Sequence, residues 1–121
     1  MDSALHRFKA EFFKALGHPL RLAILDALRD GERSVTELQQ ALEVEQAALS
    51  QQLAVLRARG FVQFRRERNL VYYSVQDREV YAFLDIARSI YERQLQQSTR
   101  MLRLSQGLSG DAEPAVKNPQ A

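Results

Sequence analysis

The sequence predicts a mainly α-helical fold of five helices with one small β-hairpin, and three observations carry that reading. Apolar residues recur at i, i+3 and i+4 in five separate stretches, turn-forming residues punctuate the chain between them, and between Phe61 and Val75 the period drops to two. The 121 residues are 45% hydrophobic and 26% charged, which suits one buried core, so a single domain over residues 1–104 is expected.

Leu5, Phe8, Phe12 and Leu16 share one face of a first helix, and Gly17 is expected to close it in the left-handed conformation. Pro19 suits the first position of a second helix, whose buried stripe is Leu20, Ile24, Ala27 and Leu28 and whose end is Asp30-Gly31. Ser34-Val35-Thr36-Glu37 has the capping-box pattern, in which Ser34 and Glu37 satisfy each other's backbone N–H groups. A third helix therefore starts at Val35 and carries Leu38, Ala41 and Leu42 on one face. After a break at Glu43-Val44-Glu45, helical spacing resumes through Leu49, Leu53 and Leu56 to Gly60, giving helix, tight turn, helix.

Val62 and Phe64, then Val71, Tyr73 and Val75, alternate with polar residues around a turn at Glu67-Arg68-Asn69, which predicts a hairpin with an arginine-loaded tip. Asp77 is expected to cap a long last helix, with Val80, Phe83, Leu84, Ala87, Ile90, Tyr91, Gln94 or Leu95, and Leu102 along its stripe. From residue 105 the tail SQGLSGDAEPAVKNPQA has no periodic apolar residues and is expected to be disordered over 105–121.

Composition removes several function classes. The absence of cysteine excludes disulfides, thiolate metal sites and cysteine redox switches. No charge-free apolar run approaches the roughly 20 residues a helix needs to cross a bilayer, and nothing resembles a signal peptide, so no membrane association and a cytoplasmic location are expected. There is no Ser-His-Asp set, no glycine-rich phosphate loop and no second histidine placed for acid–base work, so neither enzyme activity nor a cofactor is expected.

The first and last helices carry more apolar surface than one small subunit is expected to cover. Phe8, Phe12, Phe83, Ala87, Ile90 and Tyr91 are the candidate interface of a homodimer, with Phe13 and Tyr81 on the same helices.

A helix-turn-helix followed by a hairpin with a basic tip is a winged helix-turn-helix, whose second helix enters the major groove of double-stranded DNA. The net charge of +2, from 17 Lys and Arg against 15 Asp and Glu, predicts no polyanion partner by itself. Placement says more: Arg57, Arg59, Arg65, Arg66 and Arg68 cluster in one stretch opposed there only by Glu67. With its leucines turned inward, the second helix offers Gln46, Ala47, Ser50, Gln51 and Ala54 to the groove. Glutamine can pair with adenine edges, and serine with base edges or phosphate. Arg65, Arg66 and Arg68 on the wing would lie over phosphates or the flanking minor groove, where guanidinium charge gives affinity more than sequence choice. Arg57 and Arg59 are either phosphate contacts or solvated helix ends. A rival reading is a protein-docking module, for which Glu43 and Glu45 would suit a basic partner, but that use does not need the wing arginines.

The segments ALGHPLRLAILDAL and SVTELQQALEVEQAALSQQLAVLRARGFVQFRRERNLVYYSV resemble the ArsR/SmtB family of dimeric winged-helix bacterial repressors, over about Phe12 to Val75. The resemblance implies a nucleoid-associated homodimer that binds an imperfect palindromic operator, with half-sites roughly one helical turn apart, and blocks transcription until an effector weakens the complex. Three positions depart from the family pattern. Glu43 stands where glycine is usual in the turn, Glu45 where serine or threonine caps the recognition helix, and Gln52 where many members have histidine. Glu45 caps poorly and would repel a nearby phosphate.

The resemblance also places the thiolates of metal-sensing relatives at Ser34 and Thr36, and a second ligand set at Asp77, Glu79, Ile90 and Arg93. Hydroxyls in place of sulfur, an apolar residue and a cation argue against metal at either place. His18, in the HPLRL element, reads as a packing or hydrogen-bonding residue, and His6 alone is a weak ligand set. An organic ligand between the first and last helices, a protein effector, and no effector all remain open.

Overall fold

The computed structural model describes residues 3–107, in two compact units that meet between Arg78 and Glu79. The first unit opens with α1 (Ala4–Leu16), capped where the His6 N–H donates to Ser3 Oγ at 3.1 Å. Gly17 does not take the expected left-handed conformation; its φ is −83°. The chain instead turns straight into α2 (Pro19–Ala27): the His18 N–H donates to the Leu16 carbonyl at 2.9 Å, and His18 Nδ1 accepts the Leu20 N–H at 3.1 Å. His18 thus does the hydrogen-bonding work expected of it, as the N-cap just before Pro19, whose missing N–H costs nothing at the first helical position.

Arg33–Ser34 forms a short strand, β1, that the sequence reading did not anticipate; it pairs antiparallel with the far strand of the hairpin, Arg33 opposite Tyr73 and Ser34 opposite Tyr72. The predicted capping box then opens α3 (Val35–Leu42), with the Ser34 N–H donating to Glu37 Oε1 at 2.8 Å and the Glu37 N–H donating to Ser34 Oγ at 3.1 Å. Ser34 is buried, its backbone ending a strand while its hydroxyl starts a helix.

After the turn come α4 (Gln46–Ala58), β2 (Val62–Glu67) and β3 (Leu70–Val75), and the sheet order is β1-β3-β2. The hairpin register runs from Val62 opposite Val75 to Glu67 opposite Leu70, so its turn is Arg68-Asn69 alone, with Arg68 at φ 59°. The core lies where α2, α3 and α4 meet and continues onto the sheet: Ile24, Leu25, Leu28, Leu38, Leu49, Leu53, Leu56 and Val62 are all sealed from solvent. Apart from Leu25, the leucines here belong to the predicted stripes, although Leu20 and Ala27 of the α2 stripe are only half-buried and Ala41 of α3 is exposed; the burial of Leu49, Leu53 and Leu56 fixes which face of α4 is left outside.

The second unit is one helix, α5 (Val80–Ser105). Asp77 is not its cap. Glu79 holds the N-cap position in a helical conformation with no side-chain cap bond, because Arg78 and Glu79 form a turn ahead of Val80. Tyr81 was expected on the uncovered apolar surface but is only 5% exposed. Phe83, Ile90 and Tyr91 stay 48%, 41% and 54% exposed, as does the apolar end of the helix at Met101, Leu102 and Leu104. The tail expected from residue 105 lies outside the described residues from 108 onward.

Candidate nucleic-acid interface

The geometry of the site starts at the turn between α3 and α4. Glu43 takes φ 53° and ψ 49°, the left-handed region that favours glycine, and its N–H donates to the Gln39 carbonyl at 2.9 Å. The turn keeps the backbone shape that glycine normally supplies while carrying a glutamate. Glu45 then occupies the N-cap of α4 in an extended conformation without a side-chain cap bond, as its length predicts.

From that start α4 buries Leu49, Leu53 and Leu56 and leaves Gln46, Ala47, Ser50, Gln51 and Ala54 exposed on the opposite side. Gln46, Ser50 and Arg57 line a groove of about 460 Å³ whose other wall is the hairpin, through Phe64, Arg66 and Tyr73. Thr36 and Gln39 of α3 and Asn69 of the turn also line it. Ala47 and Gln51 lie on the exposed face of α4 but not in this groove.

The arginines expected to act together are separated by the strand. Successive side chains in a β-strand point to opposite faces, so Arg65 and Arg66 part company. Arg66 joins the groove side: its Cζ lies 5.7 Å from the centroid of the Phe64 ring, and the Arg57 Cζ of α4 lies 4.1 Å from the same centroid. The negative face of the ring attracts both cations. Among the described residues neither is ion-paired with a carboxylate.

Arg65 faces the other way. Its guanidinium makes a bidentate pair with Glu32, Nε to Oε2 at 3.0 Å and Nη2 to Oε1 at 2.6 Å, donates also to Glu67, and lies 4.6 Å from the Tyr72 ring centroid. These hydrogen bonds hold Arg65 more firmly protonated than an ordinary guanidinium, and the bond from Arg65 holds the Glu32 carboxyl below its usual range. Arg68 is exposed at the wing tip.

Arg59 also has a partner within the unit. Its Nη1 donates to Glu11 Oε1 of α1 at 2.7 Å, a bond that keeps the Glu11 carboxyl below its usual range. It ties the end of α4 to α1 rather than reaching for solvent.

Of the candidate interface aromatics in this unit, Phe8 is exposed, while Phe12 is half-buried against Phe61, ring centroids 5.1 Å apart. The residues at the metal positions implied by the resemblance do not fit a metal: Ser34 is engaged as a helix cap, Ile90 offers no donor and Arg93 brings a cation. Among the described residues no three His, Cys, Asp or Glu side chains group as a metal site would.

The contact that organises the groove, Arg57 on Phe64, joins residues from different elements and leaves no mark in either local pattern. The parting of Arg65 from Arg66, by contrast, follows from strand alternation.

Residues 18–63 match the model of a family described as bacterial regulatory protein, arsR family. The chain is 41% identical over 99 residues to the uncharacterized HTH-type transcriptional regulator Rv0081 of Mycobacterium tuberculosis, covering 81% of this chain and 87% of that protein. The crystal structure of Rv0081 matches with a TM-score of 0.72 at 40% identity, over 81% of this chain and 99% of that one. The transcriptional activator HlyU of Vibrio cholerae is 44% identical over 78 residues, 64% of this chain and 72% of that protein. A solution structure of Mb0332 from Mycobacterium bovis, described as a homodimeric winged helix-turn-helix DNA-binding domain, matches with a TM-score of 0.68 at 31% identity, over 78% of this chain and 87% of that one.

Proposed function

The chain belongs to the arsR family of bacterial regulatory proteins, which are DNA-binding transcriptional regulators, and from that premise we propose that it acts as a homodimeric repressor on a palindromic operator. In this reading α4 enters the major groove. Gln46, Ala47, Ser50 and Gln51 meet the bases, and Arg57, Arg66 and Arg68 meet phosphate or the flanking minor groove. The observation that carries it is the groove between α4 and the wing, which gathers Gln46 and Ser50 of the polar face of α4 with two guanidinium groups that have no carboxylate partner among the described residues.

Dimerisation would come from the exposed apolar residues of α1 and α5, and Mb0332 is a homodimer of the same fold. Repression is the simplest consequence of occupying an operator that overlaps a promoter; HlyU, named an activator, makes the direction of regulation part of the test. We assign the chain no enzymatic role and no resident metal, which leaves an organic effector, a protein effector, or control without an effector.

Fluorescence anisotropy with the DNA upstream of the chain's own gene, against a scrambled duplex, across a salt series and with EDTA, tests the reading. Tight, EDTA-indifferent binding to the upstream duplex, weakening by about 0.9 log unit per phosphate contact for each log unit of salt, is the expected result. Equal weak binding to both duplexes would favour a protein-docking module, or an operator elsewhere, instead. Ser50→Ala and Gln51→Ala are expected to change the preference between operators by about 1–3 kcal/mol per lost base contact. Promoter-reporter transcription with and without the protein gives the sign of regulation.

A further inference from the structure

We infer that the two adjacent wing arginines divide by strand face: Arg66, which shares the Phe64 ring with Arg57 of α4, touches DNA, whereas Arg65 is a positioning residue that acts through Glu32 and Glu67 and touches no phosphate. This rests on the DNA-binding reading above and deepens it. Arg65 and Arg66 are adjacent in β2 and therefore face opposite ways. On one side, the cations of Arg57 and Arg66 share an aromatic ring and line the groove with Gln46 and Ser50.

On the other side, Arg65 is engaged by two carboxylates and lies over Tyr72, the residue opposite it in β3. To reach phosphate, Arg65 would have to leave a bidentate pair and leave two already exposed carboxylates unpaired beside the polyanion. That exchange gains little, because a phosphate contact would replace an equivalent charge-assisted pair and leave two acidic groups to repel DNA.

Held where it is, Arg65 joins the middle of β2 to Glu32, which lies just ahead of β1. β1 runs directly into α3, so the pair sets the inclination of the wing against the helix-turn-helix. Glu32 and Arg65 are thus a positioning pair for wing arginines they do not accompany onto DNA.

The test uses the full chain and a random-sequence duplex, since phosphate contacts are read without knowledge of the operator. Arg66→Gln is expected to lower the slope of log affinity against log salt by about 0.9 for each protomer that loses a contact. Arg65→Gln is expected to weaken binding only about two- to five-fold, the scale of an exposed ion pair, with the slope unchanged. The charge exchange Glu32→Arg with Arg65→Glu, which keeps the net charge, is expected to recover the affinity that Arg65→Glu alone loses. Equal slope losses for Arg65→Gln and Arg66→Gln, or no recovery on charge exchange, would overturn the division. No salt-dependent binding by the unaltered protein would overturn the DNA reading and this inference together, so the two failures are distinguishable.

Discussion

Glu43 shows how one residue can carry a conflict between turn and composition. A branched-at-Cβ or bulky side chain is not what a left-handed turn favours, and even an unbranched glutamate pays sterically at φ 53°. Glycine removes that cost but adds unfolded-state entropy, which offsets part of the gain. Glu43→Gly is therefore expected to raise stability by about 0.5–1 kcal/mol, or about 2–5 °C in Tm. Urea unfolding would check it, and an unchanged midpoint would mean that the strain at Glu43 is no larger than the entropy cost of glycine. The same substitution removes a negative charge beside α4, so salt-dependent DNA affinity should rise with it. Arg68 repeats the pattern at φ 59° in the wing turn, where the positive charge favours the proposed partner instead of opposing it.

At the scale of elements, two ion pairs join segments far apart in sequence: Glu11 of α1 to Arg59 after α4, and Glu32 to Arg65 of β2. Hydrogen bonds from the arginines hold both carboxyls below their ordinary range, so each pair contributes stability above that range and loses it as pH falls through the lowered values. The variant Glu11→Gln with Glu32→Gln should be slightly less stable than the parent at pH 7, with the gap closing as pH falls to about 3. Denaturant midpoints measured across that range test it; parallel curves would show that the exposed pairs contribute nothing. The elements themselves were largely legible. Ser34 and Glu37 form the capping box their spacing announces, and the buried leucines of α4 fall on the stripe that periodicity gives. Local pattern failed where a partner distant in sequence decides the outcome. β1 is two residues long and exists only because Tyr72 and Tyr73 pair with it, and Gly17 closes α1 at φ −83° rather than in the left-handed conformation, because the chain turns directly into α2, which His18 caps. Asp77 has the right residue type for a cap but stands two residues before the N-cap. In the site, the exposed face of α4 followed from the leucines, whereas the roles of Arg57, Arg59 and Arg65 depended on Phe64, Glu11 and Glu32.

For the molecule as a whole, the apolar exposure on α1 and α5 is the feature a lone subunit leaves unexplained. Phe8 of α1 and Phe83, Ile90 and Tyr91 of α5 are large side chains held in solvent, and such surfaces in soluble proteins mark contacts with another chain. A two-fold dimer is the arrangement in which one such surface covers its own copy, and in the proposed reading it would also present two copies of α4 to two half-sites. The second half-site is then bound at a high effective concentration, so losing the dimer costs operator affinity without altering any residue at the DNA. Ile90→Glu isolates that effect, because the residue is already exposed and its replacement opens no cavity in the core. The variant is expected to sediment as a monomer with helix content retained, to bind operator about 100-fold more weakly or worse, and to show about half the salt slope of the parent. A dimeric Ile90→Glu protein would remove this stretch of α5 from the interface. A monomeric one with undiminished affinity would show that a single winged helix suffices for the operator.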